Sequence, residues 1–243
     1  MGTYLYCFTH DSHPLPVQGF AGVGPQGPAL RVLSEDGLAA VVSHASGSLR
    51  PKRRDLERHQ AILAALCAAG PVLPMRFGMV AQEDDAIRKE MRQGAGRYRA
   101  LLARVEGHVE LNVKGLHRED TLVADLLKED PALRERALRL AGGGSHQEKV
   151  ALGERVAAAV EVRRARDAEH AVARLRPHAS DVRVGPPVDG CFVNASFLVA
   201  NAARPGFEAS LGRLQEELAG SAEVESYGPL PPYSFVSSDE ANG

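Results

Sequence analysis

Tryptophan is absent from this 243-residue chain, and lysine and cysteine are scarce, at five and three. The cysteines, Cys7, Cys67 and Cys191, are odd in number, lie far apart and form no CxxC pair. That pattern argues against a disulfide framework or a zinc site. Each sits among apolar neighbours and reads as a small buried hydrophobe. The positive charge is nearly all arginine, and the formal net charge of -2 leaves no global attraction to nucleic acid or an anionic membrane. No apolar run approaches the roughly 20 residues needed to cross a bilayer. No basic n-region followed by an apolar h-region opens the chain, so the expected compartment is the cytoplasm. No serine occupies a G-x-S-x-G elbow, and no cysteine has surroundings that would lower its pKa.

What is present is ample material for folding. A 44% hydrophobic content supports real cores, and 25% charged residues support a soluble surface. The length suits one large domain or two ordinary ones.

The first half reads as α+β. Tyr4 to Phe8 is a short apolar strand, and residues 9–28, rich in Pro, Gly and His, read as a loop. Leu30 to Leu33 and Leu38 to Ser43 form a hairpin across Ser34-Glu35-Asp36-Gly37. A helix is expected over 52–69, with Leu56, Ile62, Leu63 and Leu66 on its apolar face and Gly70-Pro71 as its stop. A second helix is expected over 83–105, kinked or broken where Gly94 and Gly96 interrupt it. His108 to Lys114 alternates as a half-buried strand, with His108, Glu110, Asn112 and Lys114 on its wet face. The order β, hairpin, α, β, α, β predicts a ferredoxin-like antiparallel sheet with an extra strand and helices on one face.

The middle, 118–177, is largely helical. Asp130-Pro131 starts one helix as N-cap and first helical residue. Ser145 and Glu148 form a capping box opening a long helix to about Arg176. Its apolar stripe is thin, so it either projects as an arm or forms half of a helical hairpin. The last quarter returns to α+β. Strands are expected at Val182 to Val184, Cys191 to Val199 and Val224 to Tyr227. Phe207, Leu211, Leu214 and Leu218 mark a helix between the last two. The domain boundary is placed near residue 115, giving domains 1–115 and 116–236 and a disordered tail over 237–243.

Several apparent sites fail on context. Gly22-Val23-Gly24-Pro25-Gln26-Gly27 matches G-x-G-x-x-G, but prolines break it and a strand follows where a dinucleotide site needs a helix N-terminus. His10, Asp11 and His13 lie in a loop without a fourth ligand and read as solvated residues. The remaining histidines fall mostly on polar helix faces. The carboxylates lie beside arginines at helical spacing, as solvated pairs. Asn194-Ala195-Ser196 is a sequon by pattern, without meaning in a cytoplasmic strand. Arg50, Lys52, Arg53 and Arg54 make a basic helix entrance rather than a nucleic-acid surface.

The segment Val72-Leu73-Pro74-Met75-Arg76-Phe77-Gly78 resists such dismissal. A proline cannot donate to a sheet ladder, and a buried arginine is costly unless paired. The strand therefore ends at a sheet edge, or Arg76 forms an internal ion pair or contacts a partner protein.

That segment, followed by Met79-Val80, resembles the signature strand of the gas vesicle protein F/L family. Tyr4-Leu5-Tyr6 is similar to the family's N-terminus. Gly228-Pro229-Leu230-Pro231-Pro232-Tyr233-Ser234-Phe235-Val236 resembles its C-terminal G-P-W-P-P-Y-S-F motif, with Leu230 in place of tryptophan. The resemblance spans about residues 3–236. It implies two α+β domains, the first ferredoxin-like, with no enzyme activity and no cofactor or metal. It also implies a cytoplasmic role in gas vesicle formation, as an assembly factor or minor shell component. The implied partners are the small, hydrophobic major gas vesicle shell protein and other gas vesicle accessory proteins, with no nucleic acid and no membrane. On this view the contact residues are Pro74, Met75, Arg76, Phe77, Pro229, Leu230, Tyr233 and Phe235. The competing expectation is a small-molecule-binding regulatory protein with ferredoxin-like domains. An enzyme whose site leaves no mark in sequence is a further possibility.

Overall fold

The structure, a computed structural model, describes residues 2–45, 52–186, 188 and 190–236. Contacts divide the chain into two compact units, Met1–Glu110 with Gly228–Gly243, and Leu111–Tyr227.

In the first unit, strands β1 (Gly2–His10), β2 (Leu30–Glu35), β3 (Leu38–Ala45) and β4 (Leu73–Pro74) pair in the order β2-β3-β1-β4. A two-residue β5 (Val80–Ala81) also pairs with β1, and every ladder is antiparallel. Asp36 and Gly37 close the β2–β3 hairpin with φ of 50° and 73°. Two consecutive positive φ values suit the right-handed strand twist, and glycine adopts one without strain.

Helices α1 (Arg53–Ala69) and α2 (Asp84–Val105) were expected on one face of this sheet, but they take both. Neighbouring strand residues point to opposite faces. Tyr4 meets His59 of α1, while the Thr3 hydroxyl donates to Asp84 of α2 at 2.7 Å. A β-bulge between Leu5 and Cys7 resets the alternation, so Cys7 joins Tyr4 and Tyr6 in the core beneath α1, while Phe8 sits 4.7 Å from the Tyr98 ring of α2. The cause is legible in β1, which is buried from Thr3 through Thr9 and has no polar face to leave wet.

Two local expectations also change. α2 runs unbroken through Gly94 and Gly96, and a Cβ on Gly94 would come within 2.5 Å of the Tyr98 ring. Glycine there makes room for that ring. Of the apolar face expected on α1, Leu56 is exposed, while Asp55 and His59 are buried. Asp55 Oδ1 accepts the Gly24 N–H, so the 22–27 loop packs on the start of α1.

The second unit contains a four-stranded sheet of β6 (His108–His117), β7 (Asp181–Val184), β8 (Cys191–Ala200) and β9 (Ala222–Leu230), ordered β7-β8-β6-β9. Its helices are α3 (Glu119–Glu129), α4 (Pro131–Ala141), α5 (His146–Leu175) and α6 (Arg204–Leu218). Asp130 caps α4 by accepting the Ala132 and Leu133 N–H groups, and the Ser145–Glu148 capping box opens α5. At 30 residues α5 spans about 45 Å. It packs against α3, α4, α6 and β8, so it is the spine of this unit. Phe207, Leu211, Leu214 and Leu218 of α6 are all buried, with Phe207 edge-on to Phe197 at 5.3 Å.

The boundary expected near residue 115 falls instead inside β6, after Glu110, and the chain's ending belongs to the first unit. A short helix, α7 (Tyr233–Val236), carries that ending. Glu110, expected on a wet face, is buried because its carboxylate binds α7: it accepts the Ser234 N–H at 2.9 Å and the Ser234 hydroxyl at 2.7 Å.

Candidate functional site

The 72–78 segment and the residues just after it form the edge of the first sheet in two pieces, β4 and β5. Pro74 pairs with Cys7 in β4, where the missing N–H costs nothing because no strand lies beyond. The Met75 N–H still donates to Tyr6 O at 2.8 Å, and contact with β1 resumes when the Leu5 N–H donates to Met79 O at 3.0 Å. Between Pro74 and Val80 the edge advances six residues, while β1 advances three, from Cys7 to Tyr4. The surplus loops out as Arg76-Phe77-Gly78, with Gly78 at φ 92°. Arg76 is therefore exposed on a turn, not buried in a strand, and forms no ion pair among the described residues. The edge-strand expectation holds and the internal ion pair does not.

Beneath the loop lies His59, which sequence reasoning missed. Its Nε2 lies 3.1 Å from Met75 O and its Nδ1 3.0 Å from the Tyr4 hydroxyl. A carbonyl needs a donor, so Nε2 carries the proton and Nδ1 accepts from Tyr4. The Tyr4 oxygen in turn accepts the Gly78 N–H at 3.1 Å. Phe77 is half-buried, edge-on to His59 at 5.7 Å and to Tyr4 at 6.0 Å. Tyr6 stacks on His59 and bonds Ser43.

The C-terminal motif closes on the same cluster. After a cis Gly228–Pro229 bond, Tyr233 packs against the core that holds Tyr4, Tyr6, Cys7 and Ile62. Its hydroxyl lies 3.4 Å from His59 Nε2. The two motifs, some 150 residues apart in sequence, thus meet in one place.

Burial dominates the electrostatics. It lowers the His59 pKa, against the opposing Met75 hydrogen bond. It pushes Tyr4 and Cys67 up to about 12 and raises Tyr233 and Cys7 as well. The cluster is neutral and hydrogen-bonded, suited to fixing the loop and the ending in place.

Of the eight expected contact residues, Pro74 and Phe235 are buried and Met75, Phe77 and Tyr233 are half-buried. Arg76, Pro229 and Leu230 are exposed. Beside the loop, Met79 and Val80 are 48% and 42% exposed, adding apolar surface that the sequence did not single out.

The other motifs find structural roles. His13 is buried, not solvated: its Nε2 lies 3.1 Å from Leu66 O at the end of α1, and its Nδ1 accepts the Leu15 N–H. No cluster of three or more His, Cys, Asp or Glu side chains that could hold a metal occurs among the described residues. Arg58 donates to the Gly22 and Gly24 carbonyls, holding the glycine loop. Of the basic run, Arg50 lies outside the described residues, as does the 237–243 tail; Arg53 pairs with Glu57 and Arg54 with Asp55.

In the second unit His117 is also buried, with Nε2 2.9 Å from Asp167 Oδ2. Arg163 bridges Asp167 at 2.6 Å and Glu129 at 2.8 Å. Burial would raise the Asp167 pKa, but the His117 and Arg163 hydrogen bonds outweigh it, and the net shift is downward. The three buried histidines, His13, His59 and His117, leave no sequence signal, since only their partners distinguish them.

Comparison with known proteins agrees across the chain. The family model described as "Gas vesicle synthesis protein GvpL/GvpF" matches residues 2–237. The chain is 42% identical over 238 residues to gas vesicle protein F of Streptomyces sp. (strain CB03234), covering 97% of this chain and 100% of that protein. It is 27% identical to gas vesicle protein L of the same strain, covering 96% and 92%. The fold matches the crystal structures of GvpF from Anabaena sp. PCC7120 (TM-score 0.83, 20% identity, 97% and 98% covered) and from Microcystis aeruginosa (TM-score 0.77, 22% identity, 97% and 99% covered).

Proposed function

Because the chain belongs to the gas vesicle synthesis protein GvpL/GvpF family, we propose that it binds the major gas vesicle shell protein as an accessory assembly factor or minor structural component. It does so in the cytoplasm and at the vesicle, alongside other gas vesicle accessory proteins, and catalyses no reaction. An unassembled hydrophobic shell protein exposes apolar surface and sheet edges that invite aggregation. A soluble partner covers that surface and delivers the subunit to the growing wall.

One observation carries this reading: the looped-out sheet edge presents Arg76, Met79 and Val80 to solvent on a base of buried, hydrogen-bonded aromatics. Arginine with neighbouring apolar side chains on a rigid base is the usual make-up of a binding hot spot. Pro229 and Leu230 supply further exposed contact surface in the same unit. Pro74, Phe77, Tyr233 and Phe235 act from below, holding those groups in position, with Met75 between the two roles.

A pull-down with shell protein tests the surface. Arg76→Glu combined with Leu230→Asp should reduce retention at least about tenfold, equivalent to roughly 1.4 kcal/mol, with an unchanged melting temperature. Undiminished retention would remove the surface assignment. Tyr233→Ala is a poorer probe, since Tyr233 packs into the core. A deletion strain that still forms normal vesicles would count against the function itself.

A further inference from the structure

The second unit contains a trough separate from the residues above. One wall is the face of α5 from Glu161 to its end, with Arg176 just beyond, and the other is formed by Val184 of β7, Cys191 and Phe192 of β8 and described residues between the two strands. Its volume is about 720 Å³, within the range of built binding sites. Fifteen residues of helix make the α5 wall about 22 Å long, too elongated for a compact ligand.

The lining is apolar where the walls converge: Ala165, Ala168, Val172 and Ala173 on α5, with Val184 and Phe192 opposite. The small side chains of α5 let another backbone approach closely. Val184 is 74% exposed, an apolar residue left in water at the rim. Two charges interrupt this surface. Glu169 and Arg176 have no ion-pair or side-chain hydrogen-bond partner among the described residues, unlike Arg164, which pairs with Glu161 at 3.0 Å. They stand seven residues apart, about 10 Å along the helix. Cys191, a free thiol, also lines the trough.

We propose that this trough docks an amphipathic helix from a partner protein. Its aliphatic stripe fills the apolar strip, and one cation and one anion about two turns apart meet Glu169 and Arg176. The docked helix covers Cys191. This goes beyond the shell-protein reading and does not depend on it: the site lies in the other unit, and a designed helix can probe it.

The probes are two fluorescent peptides of about 16 residues with a leucine stripe, enough to span the wall. They are identical except that a Glu and a Lys seven positions apart are exchanged. With the full chain, one should bind at least about fivefold tighter than the other, roughly 1 kcal/mol. The preference should reverse in a Glu169→Lys/Arg176→Glu variant. The tighter probe should slow maleimide labelling of Cys191, read by mass spectrometry, several-fold. Ala165→Trp and, separately, Val184→Lys, both at exposed positions, should abolish binding and protection while circular dichroism is unchanged. Equal affinity for the two probes, binding that leaves Cys191 labelling unchanged, or no binding at roughly 100 µM would each overturn the proposal.

Discussion

The phenolic oxygen of Tyr233 lies 3.4 Å from Nε2 of His59, the nitrogen that also donates to the Met75 carbonyl. One buried ring therefore ties the chain's ending to the 72–78 segment. The contact surface proposed above depends on that tie.

Replacing His59 tests the tie directly. His59→Leu leaves the Tyr4 hydroxyl and the Met75 carbonyl without their partner, at a cost of about 2 to 4 kcal/mol. The urea midpoint should fall accordingly, and the loop around Gly78 should lose amide protection. A change under about 0.5 kcal/mol would mean that water replaces the ring without penalty.

Acid should weaken the fold in two stages. Burial lowers the folded-state pKa of His59 and of His13 below the ordinary histidine value of about 6.5. The unfolded chain then binds more protons, so their contribution is complete above about pH 6.5 and declines as pH falls below it. The limit is about 1.4 kcal/mol per pH unit for each histidine. Asp84 acts lower down. Hydrogen bonds from Arg31 and Thr3 hold its carboxyl at about 2, so its stabilisation is present above the unfolded value of 3.8 and is lost as pH falls toward about 2. Urea titrations at several pH values check this, and a flat profile from about pH 7 to pH 5 would contradict the histidine assignment.

The Glu110–Ser234 contact holds α7. Glu110→Leu removes the acceptor for both the Ser234 N–H and its hydroxyl. Hydrogen exchange at Ser234 and Phe235 should rise by roughly one to two orders of magnitude, matching about 1 to 3 kcal/mol. Exchange in α5 should not change.

The second unit has its own weak point. Asp167→Ala strips His117 of its partner and leaves Arg163 with Glu129 alone, both nearly buried, and should cost about 3 kcal/mol. Asp167→Asn keeps the shape and one acceptor and should cost less. Thermal melts of the two variants give the order, and the reverse order would place the stabilisation elsewhere.

Secondary structure was largely legible because its signals are local. Asp130-Pro131, the Ser145–Glu148 box and the Asp36-Gly37 turn each specify their geometry within a few residues. The family was legible for a similar reason, since the 72–78 and 228–236 motifs are contiguous strings. Arg76 was misplaced because periodicity cannot show that a strand stops after Leu73-Pro74 and loops outward. His13 and Glu110 were misread as solvated and His59 and His117 were passed over, because a polar side chain looks solvated until its buried partner is known.

The sequence by itself determined the element order, the caps, the turn and the family, because neighbouring residues encode these through backbone preference and pattern. Only the tertiary structure decided that α1 and α2 take opposite faces of the sheet. It alone showed that the ending from Gly228 returns to the first unit, and that Met75, His59 and Tyr233 share one cluster. Those outcomes follow from burying apolar surface and satisfying polar groups between segments far apart in the chain, which no local pattern records.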